Sequence, residues 1–178
     1  KYWPAEGKIS FFAYAPYDEN AALSANTAAG TPKLTYSVPS TVAGQKDLLV
    51  AGAQKDKNAN TVNFTFKHAL SRIGFGVKLA NSTDFDDATT IDFSKITLSA
   101  DFYPSATLTL DLDGNNVQWD DEAAPTNVTY TLNKTTDIIA NITSLSTTDI
   151  APINNESSYL MVLPQNFTAS GEEMSITA

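Results

Sequence analysis

The sequence predicts an all-β protein, a β-sandwich, and three observations carry that expectation. Apolar and polar side chains alternate at period two in residues 61–66 and again in residues 72–79, which sets the apolar ones on one face of a strand. Further strand-like stretches recur at short, even intervals, each bounded by Pro, Gly, Asn or Asp clusters that cannot continue a ladder. No segment carries the length and apolar stripe of a helix: residues 21–29 are alanine-rich, but offer at most a turn or two.

The elements follow in order. Residues 8–14 read as a strand with Ile9, Phe11 and Ala13 inward, stopped by Pro16, and residues 18–30 as a loop rich in Ala and Asn. Residues 34–38, closed by Pro39, and residues 47–51 are the next strands. Residues 52–60 are polar, turn-forming and without periodicity, which makes them the internal boundary. Residues 1–57 are then the C-terminal part of a first lobe, and residues 58–178 a second lobe lacking its last strands.

In the second lobe, residues 61–66 and 72–79 are expected to pair with each other across Lys67-His68-Ala69-Leu70-Ser71-Arg72. A polar loop covers 81–90. Ile96, Leu98 and Ala100 alternate, as do Leu108, Leu110 and Leu112, and as do Val128, Tyr130 and Leu132. Asp113-Gly114-Asn115-Asn116 is a hairpin turn between Leu112 and Val117, since Gly and Asn tolerate positive φ. After the acidic loop 120–125 and a Thr/Ser/Asn-rich stretch with Ile138, Ile139 and Ile142, residues 159–163 form a near-continuously apolar strand ended by Pro164. Met174-Ser175-Ile176-Thr177 begins a strand that the sequence does not finish, and an incomplete sheet leaves N–H and C=O groups in need of a partner.

Composition narrows the function. The 178 residues are 42% apolar, enough for a real core. With 11 Lys+Arg against 20 Asp+Glu the formal charge is −9, which repels a phosphate backbone, and no basic patch opposes it. Zero cysteines excludes disulfides, thiol nucleophiles and thiolate metal sites. Only 17% of residues are charged, and Thr, Ser and Asn fill the gaps between apolar positions, a composition that points to an extracytoplasmic location. No window reaches the ~20 apolar residues that span a bilayer. The opening Lys1-Tyr2-Trp3-Pro4 has neither initiator Met nor leader, and reads as a mature fragment or a trimmed chain.

Constellations that could carry chemistry are few. His68, with Ser71 and Arg72 nearby, pairs a general base with a hydroxyl, but no G-x-S-x-G elbow occurs, and a His at a strand connection with ring nitrogens bonded to backbone explains it better. Asp111, Asp113, Asn115 and Glu122 fall at the first, third, fifth and twelfth positions of a calcium loop, yet the sixth is Asn116 rather than Gly and the flanks are strands, so a hairpin turn accounts for them without an ion. The acids Asp84, Asp86, Asp87, Asp120, Asp121 and Glu122 cluster on polar loops, where solvated faces are expected rather than the apolar pocket a glycosidase acid needs. Tyr2, Trp3, Tyr14, Tyr17 and Trp119 could stack on a glycan, although strand aromatics are more often core. The N-x-T triplets at Asn63, Asn127, Asn141 and Asn166 arise freely in so Asn- and Thr-rich a chain, and Asn63 is expected within a strand. No catalytic, cofactor-binding or metal residue is assigned, no cofactor is implied, and the chain is read as no enzyme.

One succession of segments is more specific than any of its parts. Tyr2-Trp3-Pro4-Ala5-Glu6-Gly7, Ile9-Ser10-Phe11-Phe12-Ala13-Tyr14-Ala15-Pro16, Gln45-Lys46-Asp47-Leu48-Leu49-Val50-Ala51, Phe64-Thr65-Phe66-Lys67-His68-Ala69-Leu70-Ser71-Arg72 and Leu163-Pro164-Gln165 together resemble the fimbrillin-like family of Bacteroidetes-type surface pilins and tip adhesins. The resemblance covers nearly the whole chain. It implies a pair of transthyretin-like, Greek-key β-sandwich lobes, exported as a lipoprotein, and a structural His68. Its implied role is a structural or adhesive subunit of an outer-membrane pilus, assembled by β-strand exchange. Family members carry a lipidated Cys and a first set of strands ahead of the Trp-Pro segment, and further strands after Pro-Gln; neither is found among these residues, so any membrane tie runs through an anchor outside them. The partners implied are other pilus subunits through β-augmentation, and a host or microbial surface protein or glycan, with no nucleic acid. Residues 8–14 and 174–177 flank the expected open edge and are the expected contacts. The alternative is a surface glycan-binding β-sandwich module that uses Trp3 or Trp119. Shaft, anchor and tip roles are left open.

Overall fold

The structure is a computed structural model and describes residues 6–17, 21–23, 32–56, 61–81, 91–110, 117–120, 122–134, 141–142, 145–155, 158–166 and 175–177. In chain order the strands are β1 (Lys8–Ala15), β2 (Ala21–Leu23), β3 (Lys33–Ser37), β4 (Leu49–Asp56), β5 (Lys67–His68), β6 (Ser71–Ile73), β7 (Gly76–Val77), β8 (Ile91–Asp92), β9 (Lys95–Phe102), β10 (Ser105–Leu110), β11 (Val117–Asp120), β12 (Thr126–Asn133), β13 (Asn141–Ile142), β14 (Ala151–Pro152), β15 (Leu160–Val162) and β16 (Ser175–Thr177). One 3-10 turn, Val42–Gly44, is the only helical element among the described residues. The fold is all-β and built from small antiparallel sheets, as the alternation predicts.

Two compact units are present, and their segments interleave. The first comprises Lys1–Val38, Lys46–Ser71 and Tyr103–Pro125; the second comprises Pro39–Gln45, Arg72–Phe102 and Thr126–Ala178. The polar stretch that the sequence offers as a boundary after residue 57 follows directly on β4, which ends at Asp56, and residues 103–125 cluster with the first unit. They return because β10 takes β3 as its partner, with Leu108 opposite Leu34 and Ala106 opposite Tyr36. Composition marks where a chain can turn; it does not reveal which distant strand completes an apolar row.

In the first unit one sheet has the order β1-β4-β5 and the other β11-β10-β3-β2. β1 and β4 zip along their whole lengths, from Lys8 opposite Asp56 to Ala15 opposite Leu49. Residues 9–15 are half-buried apart from exposed Ser10, without the clean inward set of Ile9, Phe11 and Ala13 that the sequence suggests. β3 and β10 alternate strictly, and Leu34, Tyr36, Leu48, Val50, Leu108 and Leu110 are buried with Ala51 and Ala53. Each such leucine stabilises the unit by roughly 1.5–3 kcal/mol. β2 places a short strand where a loop was expected.

In the second unit the main sheet has the order β12-β9-β16, accompanied by the two-stranded ladders β13-β8, β14-β7 and β15-β6. β9 buries Ile96, Leu98, Ala100 and Phe102, and β12 buries Tyr130 and Leu132, so both alternations appear as expected. Phe102 and Tyr130 meet edge to face, ring centroids 5.2 Å apart. On the opposite face of this sheet the register pairs are polar: Ser99 and Thr129 hydroxyls lie 2.6 Å apart, and Asn127 donates to the Asp101 carboxylate at 3.1 Å. Ile73, Phe75 and Val77 pack against the core, which confirms their alternation although the backbone ladders only at β6 and β7.

Residues 61–66 depart from expectation. They form no strand and do not pair with residues 72–79; instead β5 pairs with β4, β6 with β15 and β7 with β14. Phe64 and Phe66 are exposed, as is Asn63, which the alternation places inside a strand. Alternation specifies a face but not a neighbour.

Candidate functional site

The features able to recognise another molecule are strand edges and exposed aromatic rings. Among the described residues, β1 is an outer strand of its sheet, and β12 and β16 are the outer strands of theirs. The two segments expected to flank an open edge thus fall on outer strands: residues 8–14 within β1, and residues 175–177 as β16, with Met174 outside the described residues. A strand with one neighbour directs alternate N–H and C=O groups away from its sheet, where a second extended chain can bond them.

A depression of about 430 Å³ lies in the second unit, lined by Ser40, Thr41, Val42 and Ala43 of the loop and by Thr129, Thr131 and Asn133 of β12. Its lining offers hydroxyl and amide groups and nothing titratable. The sequence held no signal for it, because loop and strand are brought together only by tertiary packing. Gln45 fastens that loop: its amide donates to Pro39 O at 3.1 Å, its Oε1 accepts the Met161 N–H at 2.7 Å, and it bonds the Tyr130 hydroxyl. Burial pushes the Tyr130 phenol above its ordinary range, while the Gln45 bond opposes that shift.

Of the residues singled out for chemistry, some make contacts within the fold and others lie outside the described residues. His68, at 75% side-chain exposure, shares a hydrogen bond of 2.5 Å between Nδ1 and Asp47 Oδ2, so its partner is a carboxylate rather than the backbone group expected. The Arg72 guanidinium stacks 3.4 Å from the Tyr159 ring centre. Asp120 accepts from the Thr109 hydroxyl at 3.3 Å and the Gln118 amide at 3.4 Å, in register with β10. Of the calcium-loop set, Glu122 is exposed, while Asp111, Asp113 and Asn115 lie outside the described residues, as do Asp84, Asp86, Asp87 and Asp121. The flanks of that loop, β10 and β11, are strands, paired with Leu110 opposite Val117.

Among the aromatics, Trp119 donates its indole N–H to Ala69 O at 2.8 Å and leans on Tyr36, so its ring is engaged within its own unit. Tyr17 is 87% exposed and its ring lies 6.3 Å from that of Tyr14. Tyr2 and Trp3 lie outside the described residues.

Comparison with known proteins places the fold. A solved fimbrial protein from Bacteroides vulgatus ATCC 8482 superposes with a TM-score of 0.68 at 23% identity, over 91% of this chain and 57% of that one. A protein of Bacteroides uniformis ATCC 8492, provisionally assigned to cell adhesion, gives a TM-score of 0.54 at 24% identity, over 98% of this chain and 57% of that one. The fimbrium subunit Fim1C of Phocaeicola vulgatus is 33% identical over an alignment of 91 residues that spans 41% of this chain. The match covers 24% of that curated relative's length. The fimbrillin-like family model matches residues 1–178, and the chain therefore belongs to the fimbrillin-like family.

Proposed function

We propose that this chain is part of a structural or adhesive subunit of a cell-surface pilus at the outer membrane, joined to neighbouring subunits by β-strand exchange and without catalytic activity. The observation that carries the reading is the long outer strand β1, which has a strand beside it on one flank only among the described residues. β16, an outer strand in the second unit, adds a second edge of the same kind. An incoming extended segment would gain main-chain bonds along such an edge, and side-chain pockets beneath it would read alternate residues. Purified protein held at high concentration should build ladders on denaturing gels that resist mild heating. A species that remains a monomer at every concentration would remove the reading.

A second reading, a glycan-binding surface module, is favoured by exposed Tyr17 beside the half-buried ring of Tyr14. Sugar titration followed by ring proton shifts in the NMR spectrum decides it. Shifts confined to Tyr14 and Tyr17, lost in Tyr17→Ala, support recognition there; unchanged rings exclude it.

A further inference from the structure

Residues 61–66 keep the alternation of a strand yet have no ladder neighbour, and they leave Phe64 and Phe66 at 36% and 43% exposure. The two rings lie 6.3 Å apart, tilted by 42°. The flank of β4 matches them. β5 pairs with β4 at two positions, His68 opposite Leu49 and Lys67 opposite Val50, whereas β4 continues beside β1 as far as Asp56.

Prolonging the β4–β5 register sets Phe66 opposite Ala51, Thr65 opposite Gly52, Phe64 opposite Ala53 and Thr61 opposite Asp56. The phase of the ladder is fixed by the Ala69 N–H, which donates to Leu48 O at 2.8 Å and makes Leu48 and Ala69 a hydrogen-bonded pair. Counting by twos, Gly52 with Thr65 and Gln54 with Asn63 are then bonded pairs, and Ala51 with Phe66 and Ala53 with Phe64 are the close, non-bonded ones. Ala51 and Ala53 face the core at 2% and 8% exposure, and their partners on β1 are Ala13 and Phe11. Both phenylalanines would therefore extend existing apolar rows across the sheet, beside alanines small enough to leave them room. The connection, Lys57-Asn58-Ala59-Asn60, has a length that antiparallel hairpins use.

We propose that residues 61–66 are a strap that zips onto β4 in this register, extending β5 back to Thr61 and burying Phe64 and Phe66. Closure occupies the flank of β4 with the chain's own backbone. The open form leaves that flank and the two rings available to an extended segment of another chain, so strap and incoming strand compete for the same N–H and C=O groups. The strap stands on the register alone and does not depend on the pilus reading.

Amide hydrogen exchange on the unmodified protein tests it. In the closed form the N–H groups of Thr61, Asn63 and Thr65 point at β4, and should exchange about tenfold or more slower than those of Val62, Phe64 and Phe66. Uniform exchange across the six residues, or the opposite alternation, overturns the strap. Because the chain has no native cysteine, paired substitutions give a second reading. Lys55→Cys with Val62→Cys, directly opposite in this register, should oxidise within one molecule about tenfold faster than Lys55→Cys with Asn63→Cys. Equal rates, or disulfides only between molecules, count against closure.

Discussion

Asn154 is buried to 4% exposure, and both ends of its amide are engaged: Oδ1 accepts the Phe75 N–H, and Nδ2 donates to Ser158 O at 2.7 Å. Asn154→Ala removes both bonds and leaves a backbone donor and a backbone acceptor unpaired, at a cost of about 2–4 kcal/mol. A urea midpoint lowered with unchanged slope is the expected result. Tyr130 adds a pH dependence. Its phenol is held above its ordinary range in the folded chain by burial, so the unfolded chain loses that proton first as pH rises. The contribution is fully present below the ordinary phenol range and is lost as pH climbs through and beyond it. Denaturation followed from neutral pH to about pH 11 should show an alkaline decline that Tyr130→Phe makes shallower.

Strands β9 and β12 are the elements most legible in the sequence. Ile96, Leu98 and Ala100, and then Tyr130 and Leu132, alternate with polar residues and point inward as the pattern says. Leu98 is fully buried, and Leu98→Ala should cost about 2–5 kcal/mol, read from the same urea titration. Residues 61–66 carry an equally clear alternation and form no ladder, while the short strands β2, β8, β13 and β14 carry no signal, since two- and three-residue strands are set by their neighbours. Outer strands β1 and β16 were legible as segments, but Asp47 as the partner of His68 and Ala69 as the partner of Trp119 were not. Those contacts join residues far apart in sequence. The link between β6 and β7 offers another test. A Cβ on Gly74 would lie 2.5 Å from the Tyr159 ring, which is itself stacked under Arg72. Gly74→Ala should cost about 1–3 kcal/mol, and less when Tyr159→Ala is present to make room.

At the scale of the whole molecule, the charge of −9 sets how copies approach one another. Like-charged copies repel at low ionic strength, and salt screens that repulsion. Association between copies, followed by light scattering, should therefore run several-fold faster near 0.15 M salt than at about 0.01 M. Acceleration at low salt instead would mean that oppositely charged patches steer the encounter. The same excess of acids predicts no retention on heparin.

The face of the sheet of β9 and β12 turned away from the core carries a last consequence. Ser99 and Thr129 hydroxyls there are bonded to each other across the strands, flanked by Thr97 and Thr131 in the next register pair, with the Asp101 carboxylate bonded to Asn127 on the other side. Paired hydroxyls gain and lose no proton between acid and mildly alkaline media, and they hold no counter-ions. The patch they form would stay equally wettable whether bathed in acid, bile or brine.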